Sequence, residues 1–225
     1  MNKYAIIVAG PSGAGKTTIA DGLIDSLGNL EMSRSATTRE KRGDGRDNEY
    51  IYLQKEEFLQ SVANGDMLEH TEYGGNFYGT RKSEFERIWD MNKNPILVLD
   101  YYGVESLKKR LDMPVFAIYV YTSLLEAEKR LVKRDAISTP SEKQRETLIK
   151  RIKNNVYDFM KLTEYATLFD LYVENETVSE CIETIKKALE DLMAGNAVMT
   201  DTEKLAITDG FKAEAERFTS NVLEN

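Results

Sequence analysis

The segment Gly10-Pro11-Ser12-Gly13-Ala14-Gly15-Lys16-Thr17 constrains this chain more than any other, because it fits G-x-x-x-x-G-K-[ST] without a mismatch. Before it stands Ala5–Ala9, a short apolar run rich in β-branched residues that reads as a buried strand. After it, Lys16 to Leu27 reads as a helix, with Gly28 as its stop. Strand, glycine loop and helix open a βαβ unit. Each residue of the loop has a physical task. Glycines permit positive φ and let backbone N–H groups face an anion. The helix points its positive dipole end at the same place. Lys16 neutralises the β- and γ-phosphates of a nucleoside triphosphate, and the Thr17 hydroxyl can ligate Mg²⁺. Gly10, Pro11, Ser12, Gly13, Ala14, Gly15, Lys16, Thr17 and Thr18 are therefore the expected ATP-binding residues, with Thr17 the metal ligand.

The rest of the chain fits an α/β protein. Pro95–Asp100, Pro114–Tyr121 and Leu168–Val173 read as further buried strands. Residues 31–54 look like a polar, arginine-rich loop ending in a strand at Tyr50-Ile51-Tyr52-Leu53, and Gly74–Thr80 like a glycine-rich turn. Helices are expected at Glu56–Asn64, Lys82–Asn92 and Val178–Met193, the last with Val178, Ile182, Ile185, Leu189 and Leu192 inward. Thr139-Pro140-Ser141-Glu142 forms a capping box that opens another helix, with Leu148, Ile152, Val156, Phe159 and Leu162 on one face. Residues 196–225 carry three basic and six acidic side chains and have no assigned role.

Composition narrows the function classes. A net charge of −8 argues against broad binding to nucleic acid or an anionic membrane, but not against a local basic pocket for a nucleotide. The single cysteine, Cys181, allows no intrachain disulfide and flanks an apolar stripe, as a buried structural thiol does. No apolar run approaches a membrane span and the start lacks a signal-peptide pattern, so a cytoplasmic setting is expected. The only histidine, His70, has no partner for a metal site and reads as a surface or pocket-edge residue.

Beyond the loop, Ser35-Ala36-Thr37-Thr38-Arg39 is followed by Arg42 and Tyr50, then Leu68-Glu69, Tyr78-Gly79-Thr80, Asp100 with Gly103, Arg130-Leu131-x-x-Arg134 and Arg151. Two guanidinia beside hydroxyls suit a phosphate dianion, although alone they would also suit a solvated charged face. In this order, from about Ile6 to about Asn175, the motifs resemble the guanylate kinase family. The resemblance implies a P-loop NTPase-type parallel sheet flanked by helices, with an acceptor-binding insertion at about 34–95 and a mobile helical lid at about 125–157, inside a domain spanning 1–195. It implies transfer of the γ-phosphoryl group of ATP to GMP or dGMP with Mg²⁺. By the same resemblance Arg39, Arg42, Tyr50 and Tyr78 hold the acceptor phosphate, and Ser35, Glu69, Thr80 and Asp100 contact guanine. Arg130, Arg134 and Arg151 belong to the lid that closes over the transferring phosphoryl group, Asn175 lies on the adenine side of ATP, and Arg130 and Asn175 both count among the ATP-binding residues. Lys16, Arg39, Arg134 and Arg151 are the residues expected to act in catalysis, in a monomer or homodimer.

The chain departs from the family pattern in places. Lys41 stands where proline is usual, and Val98 where the strand-end sequence Asp-x-Asp has its first carboxylate. Tyr102 stands where glutamine is common and Asp135 where glycine is. Two other readings stay open on sequence alone: a kinase for another nucleoside monophosphate or small phosphorylated metabolite, and a binding module that keeps the fold without the chemistry.

Overall fold

In the computed structural model, residues 3–41, 50–73, 75–134 and 142–223 are described. The strands are β1 (Ala5–Ala9), β2 (Leu30–Met32), β3 (Ser35–Thr37), β4 (Tyr50–Tyr52), β5 (Met67–Tyr73), β6 (Asn76–Arg81), β7 (Asn94–Val98), β8 (Val115–Tyr121) and β9 (Leu171–Glu174). The helices are α1 (Lys16–Leu27), α2 (Lys55–Ala63), α3 (Lys82–Asp90), α4 (Tyr101–Arg110), α5 (Leu124–Arg134), α6 (Glu142–Lys161), α7 (Val178–Met193) and α8 (Asp201–Leu223). The chain divides into two compact units, Met1–Val8 with Ala20–Phe116 and Ala9–Ile19 with Ala117–Asn225. Among the described residues no helix is long and apolar enough to cross a membrane.

In the first unit β2, β7 and β1 pair in parallel, with Ile6 opposite Ile96 and Met32 opposite the same residue on its other side. Parallel strands covered on both faces need continuous apolar sequence, and Ala5 to Ala9 are all buried. Full burial of Ile6, Ile7 and Val8 contributes roughly 1.5–3 kcal/mol each. Helix α3 packs on β7. A second sheet has the order β4-β3-β6-β5. Its apolar face gathers Ala36, Leu53, Phe58 and Met67, with Ile51, Val62 and Phe77 against them. An ion cluster around buried Glu84 ties the start of β3 to α3: the partly exposed Arg34 reaches Glu84 at 2.8 Å and Arg87 reaches it at 3.0 Å. Burial alone would raise the Glu84 carboxyl, but hydrogen bonds from both guanidinia hold it down at about 2.

In the second unit β8 and β9 pair in parallel, Ile118 opposite Leu171 and Val120 opposite Val173. Helix α7 packs on β9 through buried Cys181, Ile185, Ala188 and Leu189. Burial pushes the Cys181 thiol up to about 11, as expected of an inert core thiol.

Three sequence expectations need correction. Residues 30–37 hold two short strands rather than loop, and the glycine-rich stretch at 76–81 is strand β6. Val178 is 40 % exposed instead of inward, because it is the first residue of α7, next to the Thr177 cap. The capping box at 139–142 has its first three residues outside the described residues.

Candidate active site

The phosphate-loop half lies wholly in the second unit. Strand β1 ends at Ala9 and the loop turns at Gly10, whose φ is 143°. A Cβ there would stand 1.9 Å from the Val120 carbonyl oxygen, so only glycine lets the loop leave β1 this close to β8. Gly15 (φ 88°) is equally constrained: a Cβ would lie 2.5 Å from Asn175 Nδ2. The Ile19 N–H then donates to the Gly15 carbonyl at 3.0 Å and α1 begins.

Two asparagines grip the loop's backbone. Asn155 of α6 accepts from the Ser12 N–H and donates to the Ser12 carbonyl, both at 2.8 Å. Asn175, just past β9, donates through Nδ2 to the Ala14 carbonyl at 2.7 Å, while its own N–H donates to the Tyr121 carbonyl at 2.7 Å. Both asparagines are 2 % exposed. Arg130 of α5 joins the second grip, donating to the Asn175 carbonyl at 2.9 Å and bonding Glu126 Oε1 at 3.0 Å. Lys16 is half-buried and its Nζ donates to the Pro11 carbonyl at 2.8 Å. Burial pulls the Lys16 ammonium down to about 8; Asp158 opposes this and Arg134 adds to it. Thr17 is half-buried and Thr18 exposed on the first turn of α1. Arg134 is exposed at the end of α5, and Arg151 is half-buried on α6.

The second half lies wholly in the first unit, around the β4-β3-β6-β5 sheet. Register brings its parts together. Ser35 pairs with Tyr50, and Thr37 pairs with Tyr52 and Tyr78. The rings of Tyr50 and Tyr78 meet edge-on at 6.5 Å. The Arg39 guanidinium lies over the Tyr50 ring at 4.9 Å and reaches the Tyr52 hydroxyl at 3.4 Å. A cation, its aromatic support and the Tyr52 hydroxyl thus share one patch, which suits an oxyanion. Arg42 lies outside the described residues.

On β5 and β6, Glu69 and Thr80 are register partners, and the Thr80 hydroxyl donates to Glu69 Oε1 at 2.6 Å. Glu69 is 3 % exposed and Thr80 fully buried. Burial pushes the Glu69 carboxyl up to about 7; the Thr80 hydroxyl opposes this, the charge of Asp100 reinforces it, and Arg110 offsets part of it. Asp100 itself caps α4, its Oδ1 accepting from the Gly103 N–H at 2.8 Å.

Sequence reasoning missed Asn155 and Tyr52. Asn155 follows Arg151 by one helical turn and so shares its face, a signal available in the sequence. Tyr52 was readable as the next outward residue after Tyr50 on the same strand. Asn175, expected on the adenine side, is buried beneath the loop.

Comparison with known proteins places the chain in a family. The family description "Guanylate kinase" matches residues 2–192. A guanylate kinase of Clostridium perfringens is 37% identical over 185 residues, covering 82% of this chain and 81% of that one. One from Porphyromonas gingivalis is 37% identical, covering 84% and 97%, and the human guanylate kinase is 32% identical, covering 83% and 92%. The crystal structure of guanylate kinase from Anaplasma phagocytophilum superposes with a TM-score of 0.62 at 24% identity, covering 89% of each chain, and so shares the fold. The chain belongs to the guanylate kinase family.

Proposed function

We propose that this chain transfers the γ-phosphoryl group of ATP to GMP, giving ADP and GDP. Family membership supports the reaction class, and a complete phosphate loop with Lys16 supports ATP as donor. The observation that carries guanine over other bases is Glu69, a carboxylate 3 % exposed and oriented by Thr80. Guanine offers N1–H and an exocyclic amine, both donors, to acceptor-only carboxylates. Adenine offers an unprotonated N1 at that edge, which would leave both it and the carboxylate unpaired. Ser35 and Asp100 complete the base contacts in this reading. Arg39, Arg42, Tyr50 and Tyr78 hold the acceptor phosphate.

No covalent intermediate is needed. Loop N–H groups and Lys16 hold the triphosphate, and Arg134 and Arg151, from the segment 125–157 read as a lid, balance charge as it develops on the transferring group. Thr17 is suited to hold Mg²⁺: its half-buried hydroxyl stands on the first turn of α1, and Mg²⁺ at such sites takes most of its ligands from phosphate and water. The ion, when bound, would supply positive charge against the triphosphate. Position 98, a valine, supplies no carboxylate to this chemistry. We place the enzyme in the cytoplasm, as a monomer or homodimer.

The test is ADP release from ATP with GMP, AMP, CMP and UMP in turn. The proposal expects kcat/KM for GMP to exceed the others by about 10² or more. Comparable rates with another monophosphate would reassign the substrate, and no turnover with any would leave a binding module.

A further inference from the structure

Helix α8 lies beyond the residues matched by the family description, which end at 192, and its sequence is mixed polar and acidic. Such a segment could hang free, yet Lys204, Thr208, Phe211 and Ala215 are buried. Their spacing of four, three and four puts them on one helical face. That face meets α6, α5 and the 3-10 turn at Leu162–Leu168.

What it touches is specific. The Phe211 ring stacks on Phe159 of α6 with centroids 4.5 Å apart and meets Tyr121 of β8 edge-on at 4.7 Å. Phe159 is one helical turn from Asn155, which grips Ser12. Tyr121 supplies the carbonyl that holds the backbone of Asn175, which grips Ala14. One turn along from Phe211, Glu214 Oε1 accepts from the Leu124 N–H at 2.7 Å, at the first residue of α5. A carboxylate there satisfies an orphan donor and faces the positive end of the helix dipole. Helix α5 carries Arg130, whose guanidinium holds the Asn175 carbonyl.

Asn155 is thus backed by α8 within one helical turn, Asn175 through the Tyr121 backbone, and Arg130 through the helix whose first residue Glu214 holds. We propose that α8 is a positioning element of the ATP half-site, acting through Phe211 on α6 and β8 and through Glu214 on α5. It touches no substrate. It fixes the elements whose side chains shape the loop backbone. This rests on ATP occupying the Gly10–Thr17 loop.

The experiment compares full-length wild type with Phe211→Ala, Glu214→Ala and Glu214→Gln, measuring KM for ATP, KM for GMP and melting temperature. Phe211→Ala should raise KM for ATP by about tenfold and leave KM for GMP within about twofold. Glu214→Ala should raise KM for ATP by about threefold to fivefold, and Glu214→Gln, which keeps an acceptor oxygen, should restore most of that. Lower melting temperatures with both KM values unchanged would overturn the proposal and leave α8 a stabilising strap. Equal rises in both KM values would overturn it too. If Phe211→Ala does not fold, the Glu214 pair decides alone: a selective ATP defect rescued by glutamine supports it, and no defect refutes it. Failure of wild type to use ATP would instead refute the functional proposal beneath it.

Discussion

In the proposed function the phosphate loop of one unit and the acceptor-binding sheet of the other recognise their ligands by opposite means. The phosphate loop is a contiguous stretch of backbone whose shape is set by glycines and by asparagine amides gripping Ser12 and Ala14. The acceptor half is assembled from side chains on strands up to 45 residues apart, from Ser35 on β3 to Thr80 on β6. The first is proposed to offer N–H groups to an anion that every nucleoside triphosphate shares. The second holds a buried carboxylate, Glu69, proposed to meet one particular base edge. Backbone recognition gives affinity for a common group, while discrimination between bases needs a side chain whose wrong partner is left unpaired.

Substitutions can break this contrast in graded fashion. The largest effect is expected from Lys16→Ala, which removes the loop's one ammonium: turnover should fall roughly 10²–10³-fold with the fold retained, read by steady-state kinetics and circular dichroism. Near-normal turnover would mean the loop does not hold the transferring phosphate. Next, Glu69→Gln should lower the preference for GMP over AMP by about 10²-fold, because an amide offers both donor and acceptor. An unchanged preference would move base recognition elsewhere. Arg39→Ala should raise KM for GMP about tenfold to a hundredfold through the loss of a charge-assisted contact worth roughly 1.5–3 kcal/mol, without altering KM for ATP. Equal effects on both substrates would abolish the division of labour. Asn155→Ala should do the converse at smaller scale. Two hydrogen bonds of about 1 kcal/mol each set the loop, so KM for ATP should rise roughly tenfold and KM for GMP should hold.

The smallest effect is on pH. The Glu69 carboxyl titrates near 7, and in the proposed role its ionised form, acceptor-only, meets the two guanine donors better than the neutral acid, one of whose oxygens carries a proton. KM for GMP should therefore fall as pH rises towards about 7 and level off above it, up to tenfold per unit on the acid side. Stability runs the other way. The folded state holds the Glu69 proton more tightly than the unfolded chain, whose ordinary value is 4.5, so this residue's contribution is full below 4.5 and is lost as pH rises through about 7. Glu69→Gln should remove both dependences. A KM for GMP that does not vary between pH 6 and 8 would contradict the role given to this carboxylate.

The same contrast explains what could be read from sequence. Strand β1, the loop and α1 were legible because their signals are local: apolar run, glycines, helix stop. Glu69 and Thr80 were named only by resemblance, because their contact depends on strand register, which no local pattern encodes. Strand β6 reads as a turn from sequence because Gly79 looks like a breaker, when the close approach of the Glu69 carbonyl, 2.8 Å from where a Cβ would sit, is what requires it. Strands β2 and β3 are three residues each, too short for a period-two pattern. The inward face of helix α8 is hidden in the sequence because Lys204 and Thr208, buried beside Phe211 and Ala215 among its described residues, are polar. Asn155 and Asn175 grip backbone atoms, and a sequence does not show which backbone atoms a side chain will meet.

The central claim is the identity of the transferred group and its acceptor. Incubating the full-length chain with ATP labelled at the γ-phosphorus, Mg²⁺ and an equimolar mixture of GMP and AMP, then separating the products, tests it directly. The account predicts label in the β-phosphate of GDP, one equivalent per ADP formed from ATP, and almost none transferred to AMP. Label divided evenly between the two acceptors, or recovered as free phosphate, would contradict it.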